Sequence, residues 1–387
     1  GGDPVPDVSR IMHEAVARRV FPGGVVACGK LDTGPAFYAR GYGSYTYESS
    51  IPTTTESIWD VASLTKVLAT TPAVMLLHDQ GLLGLEDTVA SHWPAFAQNG
   101  KGGVTVRQLL AHTAGLREWF PFYRLGKRNK DAIVDHICAE PLSYASGTLK
   151  YSDLGMIMLG CIVEKLAGVP LDTFVEERLF WPLGMTASRF RRVEELHWDR
   201  AIVPTSVDPG FRGRLLWGEV HDENAFLLGG VAGHAGLFST ASDIFRFVRM
   251  VLNGGRCPET GQTFFRPATL QLFTSADALS KARRGLGWDL HSRYGVGNSS
   301  AGTRMGPRTF GHTGFTGCSL WMDPATTKYV ILLTNAVHPH EMSETGGEIQ
   351  SVRPAVADAA LLALDEGRLA EACKETARAV HSARPPA

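Results

Sequence analysis

Apolar positions in residues 8–20 recur at helical spacing, so an amphipathic helix is expected there. Phe21-Pro22-Gly23-Gly24 then turns the chain into the apolar run 25–29. That run and 36–43 read as two strands joined by a turn at Asp32-Thr33-Gly34. From residue 63 the texture is helical. Val67, Leu68, Val74, Met75, Leu76 and Leu77 leave almost no polar face, as in a helix buried on all sides, and Pro72 predicts a kink within it. Residues 82–93 contain a further helix start at Leu85-Glu86-Asp87-Thr88-Val89. The pattern predicts a helix over 104–116 stopped by Gly115, others over 156–166, 163–169 and 171–179, and one over 241–252 capped by Thr240 or Ser242. Beyond about residue 285 come three strand-length runs, 309–312, 317–322 and 329–334, with a turn at Asp323-Pro324. Two of them are apolar throughout, which suits strands buried on both faces. A helix is expected over 352–364. The predicted class is α/β (α+β): strands from both chain ends closing one antiparallel sheet flanked by helices, with a helical insertion between them. Residues 1–60 and 285–387 would form the α/β lobe and 61–284 a mainly helical lobe, with the active site where they meet.

Composition narrows the function without naming it. The 387 residues are 44% apolar and 20% charged, enough for a large core and, at roughly 100–200 residues per domain, for two lobes. A net charge of -1 gives no reason to expect nucleic acid as a partner. The basic clusters Lys127, Arg128, Lys130 and Lys281, Arg283, Arg284 read as solvated faces. No apolar run reaches the roughly 18 residues of a membrane-spanning segment. Six scattered cysteines without a C-x-x-C pair form neither a disulfide framework nor a zinc ribbon. The chain begins Gly1-Gly2-Asp3 without methionine, so a trimmed or processed start is expected.

The chemistry concentrates at Trp59-Asp60-Val61-Ala62-Ser63-Leu64-Thr65-Lys66. A serine and a lysine three apart share one face of a helix. Asp60 or a neighbour can cap the free amides at its start. A serine hydroxyl must lose its proton to become a nucleophile, and a lysine whose proton affinity is lowered can take it. This S-x-x-K spacing occurs once. Two other stretches hold suitable partners. Tyr151, in Lys150-Tyr151-Ser152-Asp153-Leu154-Gly155, could relay protons, or could be a core tyrosine with a satisfied hydroxyl. In Gly311-His312-Thr313-Gly314-Phe315-Thr316-Gly317 a glycine-rich strand permits close approach, and His312 and Thr313 could hold a substrate carboxylate or amide. The alternative there is a bend between strands with a satisfied histidine.

In this order the three stretches resemble the serine β-lactamase and penicillin-binding superfamily, on its class C-like side, with family VIII esterases, D-aminopeptidases and cell-wall amidases. Leu109-Leu110-Ala111-His112-Thr113-Ala114-Gly115-Leu116 and the segment 229–240 are similar to further family stretches, and Val220-His221-Asp222-Glu223-Asn224-Ala225 to a narrower subgroup. The resemblance covers most of the chain. It implies a β-lactamase/transpeptidase-like fold and an acyl-enzyme on Ser63, with Lys66 as base and Tyr151 as proton carrier. It puts the amides of Ser63 and Phe315 in the oxyanion hole, and Asp153, His312, Thr313 and Gly314 at substrate-binding positions. It implies no cofactor and no metal, a small-molecule or peptide substrate, and a periplasmic or secreted location, with a cytoplasmic one as the alternative. The oligomeric state stays open.

Two departures matter. The family usually has asparagine where this chain has Asp153; a carboxylate aimed at Lys66 would favour the ammonium and shift proton traffic to Tyr151. The family's lysine is replaced by His312, mostly neutral at pH 7, so a β-lactam carboxylate would lose a fixed partner and poor β-lactam hydrolysis is expected. A true class C β-lactamase, or an inactive penicillin-recognising scaffold, are the alternatives. Other readings are weaker. Gly24 to Lys30 spells most of a phosphate loop, but Leu31 follows in place of Ser or Thr. His338-Pro339-His340-Glu341 lacks zinc-protease spacing, and Cys318 has no base placed beside it by any motif.

Overall fold

The computed structural model describes residues 2–34, 36–280, 284–291, 300–341, 347–370 and 372. Its main sheet has six antiparallel strands: β1 (Gly23–Lys30), β2 (Tyr38–Gly43), β3 (Asp289–Leu290), β4 (Phe310–Gly314), β5 (Cys318–Asp323) and β6 (Lys328–Thr334), in the order β2-β1-β6-β5-β4-β3. β1 pairs with β6 from Gly24 opposite Thr334 to Lys30 opposite Lys328, so the two ends of the chain do close one sheet. The stretch that resembled a phosphate loop is β1 itself.

β1 and β6 are apolar throughout because both faces are covered. Val25, Ala27, Ile331 and Leu333 point into the large core shared with the middle of the chain. Val26, Cys28, Val330 and Leu332 point the other way, onto helices α1 (Pro6–Ala17) and α5 (Ile349–Asp365) through Val8, Met12, Val356 and Leu361. Alternation cannot show in such strands, since neither face needs to be polar.

The middle of the chain carries helices α2 (Thr71–Asp79), α3 (Asp153–Ala167) and α4 (Ala241–Leu252). Thr240 caps α4 by accepting from the Asp243 amide, as one of the two expected caps. The runs read as two overlapping helices, 156–166 and 163–169, are one helix, α3, which starts earlier at the cap Ser152 and stops at Gly168. The helix expected over 171–179 is α-helical only over Leu171–Val175 and continues as a π turn, Glu176–Phe180. The helix expected over 104–116 is shorter, Val106–Ala111. It ends at His112, which adopts left-handed φ 57° and returns its amide to Gln108 and Leu109. Gly115 serves another need: a Cβ there would lie 2.4 Å from the Tyr144 carbonyl oxygen. The middle also holds short strands that periodicity did not reveal. Trp59–Asp60 pairs with Leu237–Ser239, which pairs with Arg189–Phe190. Two- and three-residue strands are too short to leave an alternating pattern. Among the described residues no single helix is long and apolar enough to cross a membrane.

Candidate active site

Ser63 follows the strand Trp59–Asp60 directly. Buried Asp60 accepts from the Ala62 amide (2.9 Å) and from the His221 amide (2.7 Å), pinning the turn that carries the serine. Burial pushes its carboxyl up. Ala62 adopts φ 49°, a strained conformation for a residue with a Cβ, of the kind that clusters at functional sites. What the sequence suggested as one helix is three pieces: a 3₁₀ turn (Ala62–Leu64), a π turn (Lys66–Thr70) and then α2. In the π turn the Thr71 amide reaches back to the Lys66 carbonyl, which lets Pro72 sit in the first turn of α2 where no amide is required. This is where the expected kink went.

The serine and lysine do meet. Lys66 is fully buried, and its Nζ donates to Ser63 Oγ (2.7 Å) and to the His234 carbonyl (3.0 Å). Asp153 turns toward it, with Oδ1 2.9 Å from Nζ. Burial would push the ammonium down; Asp153, and then Tyr151, more than offset this and hold it above the ordinary lysine value. Tyr151 Oη donates to Ser63 Oγ (3.1 Å), so two side chains from distant parts of the chain converge on one oxygen.

Tyr151 is set by a residue that sequence reading passed over. His112 packs its ring 4.6 Å from the tyrosine ring, and its Nδ1 accepts from the Ser152 amide (3.0 Å). Burial, then the nearby Arg284 and Lys66 cations, hold its imidazole well below the usual range, so it is neutral. The stretch around His112 was visible in the sequence, but nothing in it marked that residue as part of a site.

β4 forms the opposite wall. Its glycines are required by close approach. A Cβ on Gly314 would lie 2.5 Å from the Val61 carbonyl oxygen, and one on Gly311 would lie 1.8 Å from that of Leu320. Thr316 Oγ1 donates to the Asp60 carbonyl (2.8 Å) and Arg353 Nη2 to that of Gly314 (2.8 Å), so the β4–β5 turn is tied to the serine turn. Phe315 is carried beside Ser63, its side chain exposed.

His312 is buried. Its Nδ1–H donates to the Thr313 carbonyl (2.7 Å), and Arg284 Nη2 donates to its Nε2 (3.4 Å). Burial, then Arg284 and Lys66, keep it neutral, as expected. Arg284 corrects one expectation. It is not on a solvated face: its guanidinium lies 5.4 Å from the Tyr151 ring. It also places a cation beside His312. Lys281 and Arg283 of the same cluster lie outside the described residues.

Two clefts meet at Ser63, Tyr151 and Phe315. One, about 360 Å³, is lined by Arg284, Arg353, His312 and Thr313 among others. The other, about 530 Å³, contains Asp153, Asp222, Glu223 and Glu341. Asp222 and His234, also unassigned from sequence, form a pair with Oδ2 2.5 Å from Nε2. His234 reaches Lys66 because Gly233 presses against α3, where a Cβ would be 2.1 Å from the Met156 carbonyl oxygen. Asp153, Asp222 and His234 bring metal-ligating atoms within 4.8 Å of one another, but Asp153 is already engaged by the Lys66 ammonium. Cys318 is buried and its thiol is pushed up to about 11, chiefly by burial, the opposite of an activated nucleophile. Glu341 pairs with His221 (3.1 Å), away from a shared site with His338, whose ring lies 6.2 Å from that of Tyr47.

A family model described as Beta-lactamase matches residues 8–352. The chain belongs to the β-lactamase family. A protein of Escherichia coli (strain K12) named "Putative D-alanyl-D-alanine carboxypeptidase" is 34% identical over 321 residues, 76% of this chain and 73% of that one. The N-acetylmuramyl-L-alanine amidase of Bacillus subtilis (strain 168) is 33% identical over 351 residues, 82% of this chain and 78% of that one. The fold is shared with EstCE1, a hydrolase with promiscuous acyltransferase activity, at TM-score 0.69 and 22% identity, covering 92% of this chain and 98% of that one. It is shared equally with a penicillin-binding protein homologue from Caulobacter crescentus, at TM-score 0.69 and 20% identity, covering 94% and 98%. The β-lactamase family protein is therefore a hydrolase of the serine β-lactamase type, with the antiparallel sheet and flanking helices of that fold.

Proposed function

We propose that this protein hydrolyses peptide, amide or small ester substrates through an acyl-enzyme on Ser63, and that its substrates carry a carboxylate on the leaving side of the scissile bond. The observation that carries this is the pair of guanidiniums in the 360 Å³ cleft that opens on Ser63. Arg353 is buried there with no acidic partner among the described residues, and burial pushes its guanidinium down. Among the described residues Arg284 has one acidic partner, Asp289, at 3.6 Å. A buried cation without a counter-charge is costly, and a substrate carboxylate supplies one. Peptides ending in a free carboxylate, such as those derived from peptidoglycan, have this chemistry, and the names of the carboxypeptidase and amidase relatives agree with it.

In this scheme Ser63 Oγ attacks the scissile carbonyl, and the amides of Ser63 and Phe315 receive the developing oxyanion. Asp153 biases the serine proton away from Lys66 and toward Tyr151. Tyr151 relays it: as its hydroxyl takes the proton from Ser63 Oγ it gives its own to the leaving group, beside the Lys66 ammonium and the Arg284 guanidinium. Water then attacks the acyl-enzyme along the same path. The cation at Arg284 also favours a second reading, a β-lactamase, because a β-lactam presents a carboxylate of the same kind; we expect β-lactam turnover to be the weaker reaction. The test is a turnover panel of nitrocefin, p-nitrophenyl esters, D-alanyl peptides and muropeptides, with the Ser63→Ala variant beside the wild type. Ser63→Ala should lose all turnover and all labelling by a fluorophosphonate while unfolding as cooperatively as the wild type. Retained turnover in that variant would overturn the scheme, and nitrocefin as the best substrate would favour the second reading.

A further inference from the structure

The two clefts that meet at Ser63 differ in charge. The 360 Å³ cleft holds two arginines and, among the described residues, one carboxylate, Asp289. Among the described residues that line the 530 Å³ cleft there is no lysine and no arginine, but there are four carboxylates. Three of these have partners. Asp153 is on Lys66 (2.9 Å), Asp222 on His234 (2.5 Å) and Glu341 on His221 (3.1 Å). Glu223 makes no ion pair with any described residue and is the surplus charge. Its carboxyl is pushed up, first by burial and then by Asp208, Asp222 and Glu341. Arg212, which acts on it weakly, is committed to Asp208 and to the carbonyls of Val220 and His221.

A second observation points the same way. Trp119 and Phe315 also line this cleft, and they keep 42% and 55% of their surface exposed. Large rings left open beside an uncompensated carboxylate suit a cation, which gains from the ring face as well as from the charge. The cleft opens on Ser63 itself, so it is one half of the ground any substrate must cover. With the carboxylate of the leaving group on the arginine side, this half receives the acyl group.

We propose that the Glu223 cleft selects acyl groups carrying a free, positively charged amine, which makes the preferred substrate a zwitterionic peptide with its ammonium on the acyl side and its carboxylate on the leaving side. The proposal rests on Ser63 being the acylated residue. It is tested with two p-nitrophenyl esters of equal length, 6-aminohexanoyl and 6-acetamidohexanoyl, which differ only in the charge at the chain end. The wild type should prefer the amine in kcat/KM by about tenfold, the equivalent of one hydrogen bond to a charged group. The preference should fall to within about twofold in Glu223→Gln and be reduced in Glu341→Gln, a more exposed position that offers an independent variant. Equal kcat/KM for the two esters in the wild type, with both acylating Ser63, overturns the proposal and leaves the Ser63 chemistry standing. A wild-type preference that persists in both variants overturns the assignment to this cleft. Failure of both esters and of a fluorophosphonate to label Ser63 removes the underlying reading together with the proposal.

Discussion

The charge state of one lysine organises the site. Lys66 touches the Ser63 hydroxyl, yet Asp153 sits 2.9 Å from its nitrogen and keeps it protonated. Replacing Asp153 with asparagine removes the carboxylate, lowers the lysine's affinity for its proton and so populates the free amine from a lower pH upward. Asp153→Asn should therefore move the acid limb of Ser63 acylation to lower pH, measured as the rate of fluorophosphonate labelling against pH. It should also relieve the dependence on tyrosine. Tyr151→Phe should cost at least about 10²-fold in the wild type and clearly less in the Asp153→Asn background. An unmoved pH profile, with the same tyrosine penalty in both backgrounds, would remove Asp153 from the control of the proton. At this scale the S-x-x-K pair and the tyrosine could be read from the chain because their spacing is local or their surroundings distinctive. Arg284 could not, since its role comes from a neighbour 28 positions away in sequence and 3.4 Å away in space.

Among the elements, the joint between the serine turn and the β4–β5 turn is the most exacting. It depends on Gly314, where any side chain would meet the Val61 carbonyl oxygen at 2.5 Å. Gly314→Ala must push the strand away from Ser63, and displacement of about 1 Å in such a site costs roughly 10²-fold in rate. We expect a fall of that order in kcat/KM, with cooperative unfolding retained; wild-type kinetics would show that the wall can move without consequence. Helices proved legible where a cap or a long apolar face announced them, as with Thr240 and residues 241–252. They were misjudged where a left-handed residue other than glycine closed them, as at His112, because only the return bonds to Gln108 and Leu109 make that conformation worthwhile. The short strands Trp59–Asp60 and Leu237–Ser239 were invisible for a different reason. They exist because they pair with each other, which carries the Val61 amide onto the Leu237 carbonyl (3.1 Å) and holds the segment of His234 beside Lys66.

For the molecule as a whole, the site depends on a sheet made from both chain ends and covered on its far face by α1 and α5. Met12 is fully buried in that layer. Met12→Ala should reduce stability by roughly 3 kcal/mol in urea unfolding, as a cavity in a close-packed core does, with kcat/KM of the folded protein unchanged. A loss well under about 1 kcal/mol would mean that α1 is not part of the core. Local sequence alone determined the runs of strand and helix, the serine–lysine pair and the glycine-rich strand, since these follow from spacing, side-chain volume and backbone freedom over a few residues. Tertiary structure decided the rest: that Asp153 faces Lys66, that Arg284 lies beside His312 and Tyr151, that Asp222 pairs with His234 next to Lys66, and that two clefts of different charge meet at one hydroxyl. Those facts are distances between groups far apart in the chain, and burial and charge act through space, where no local pattern records them.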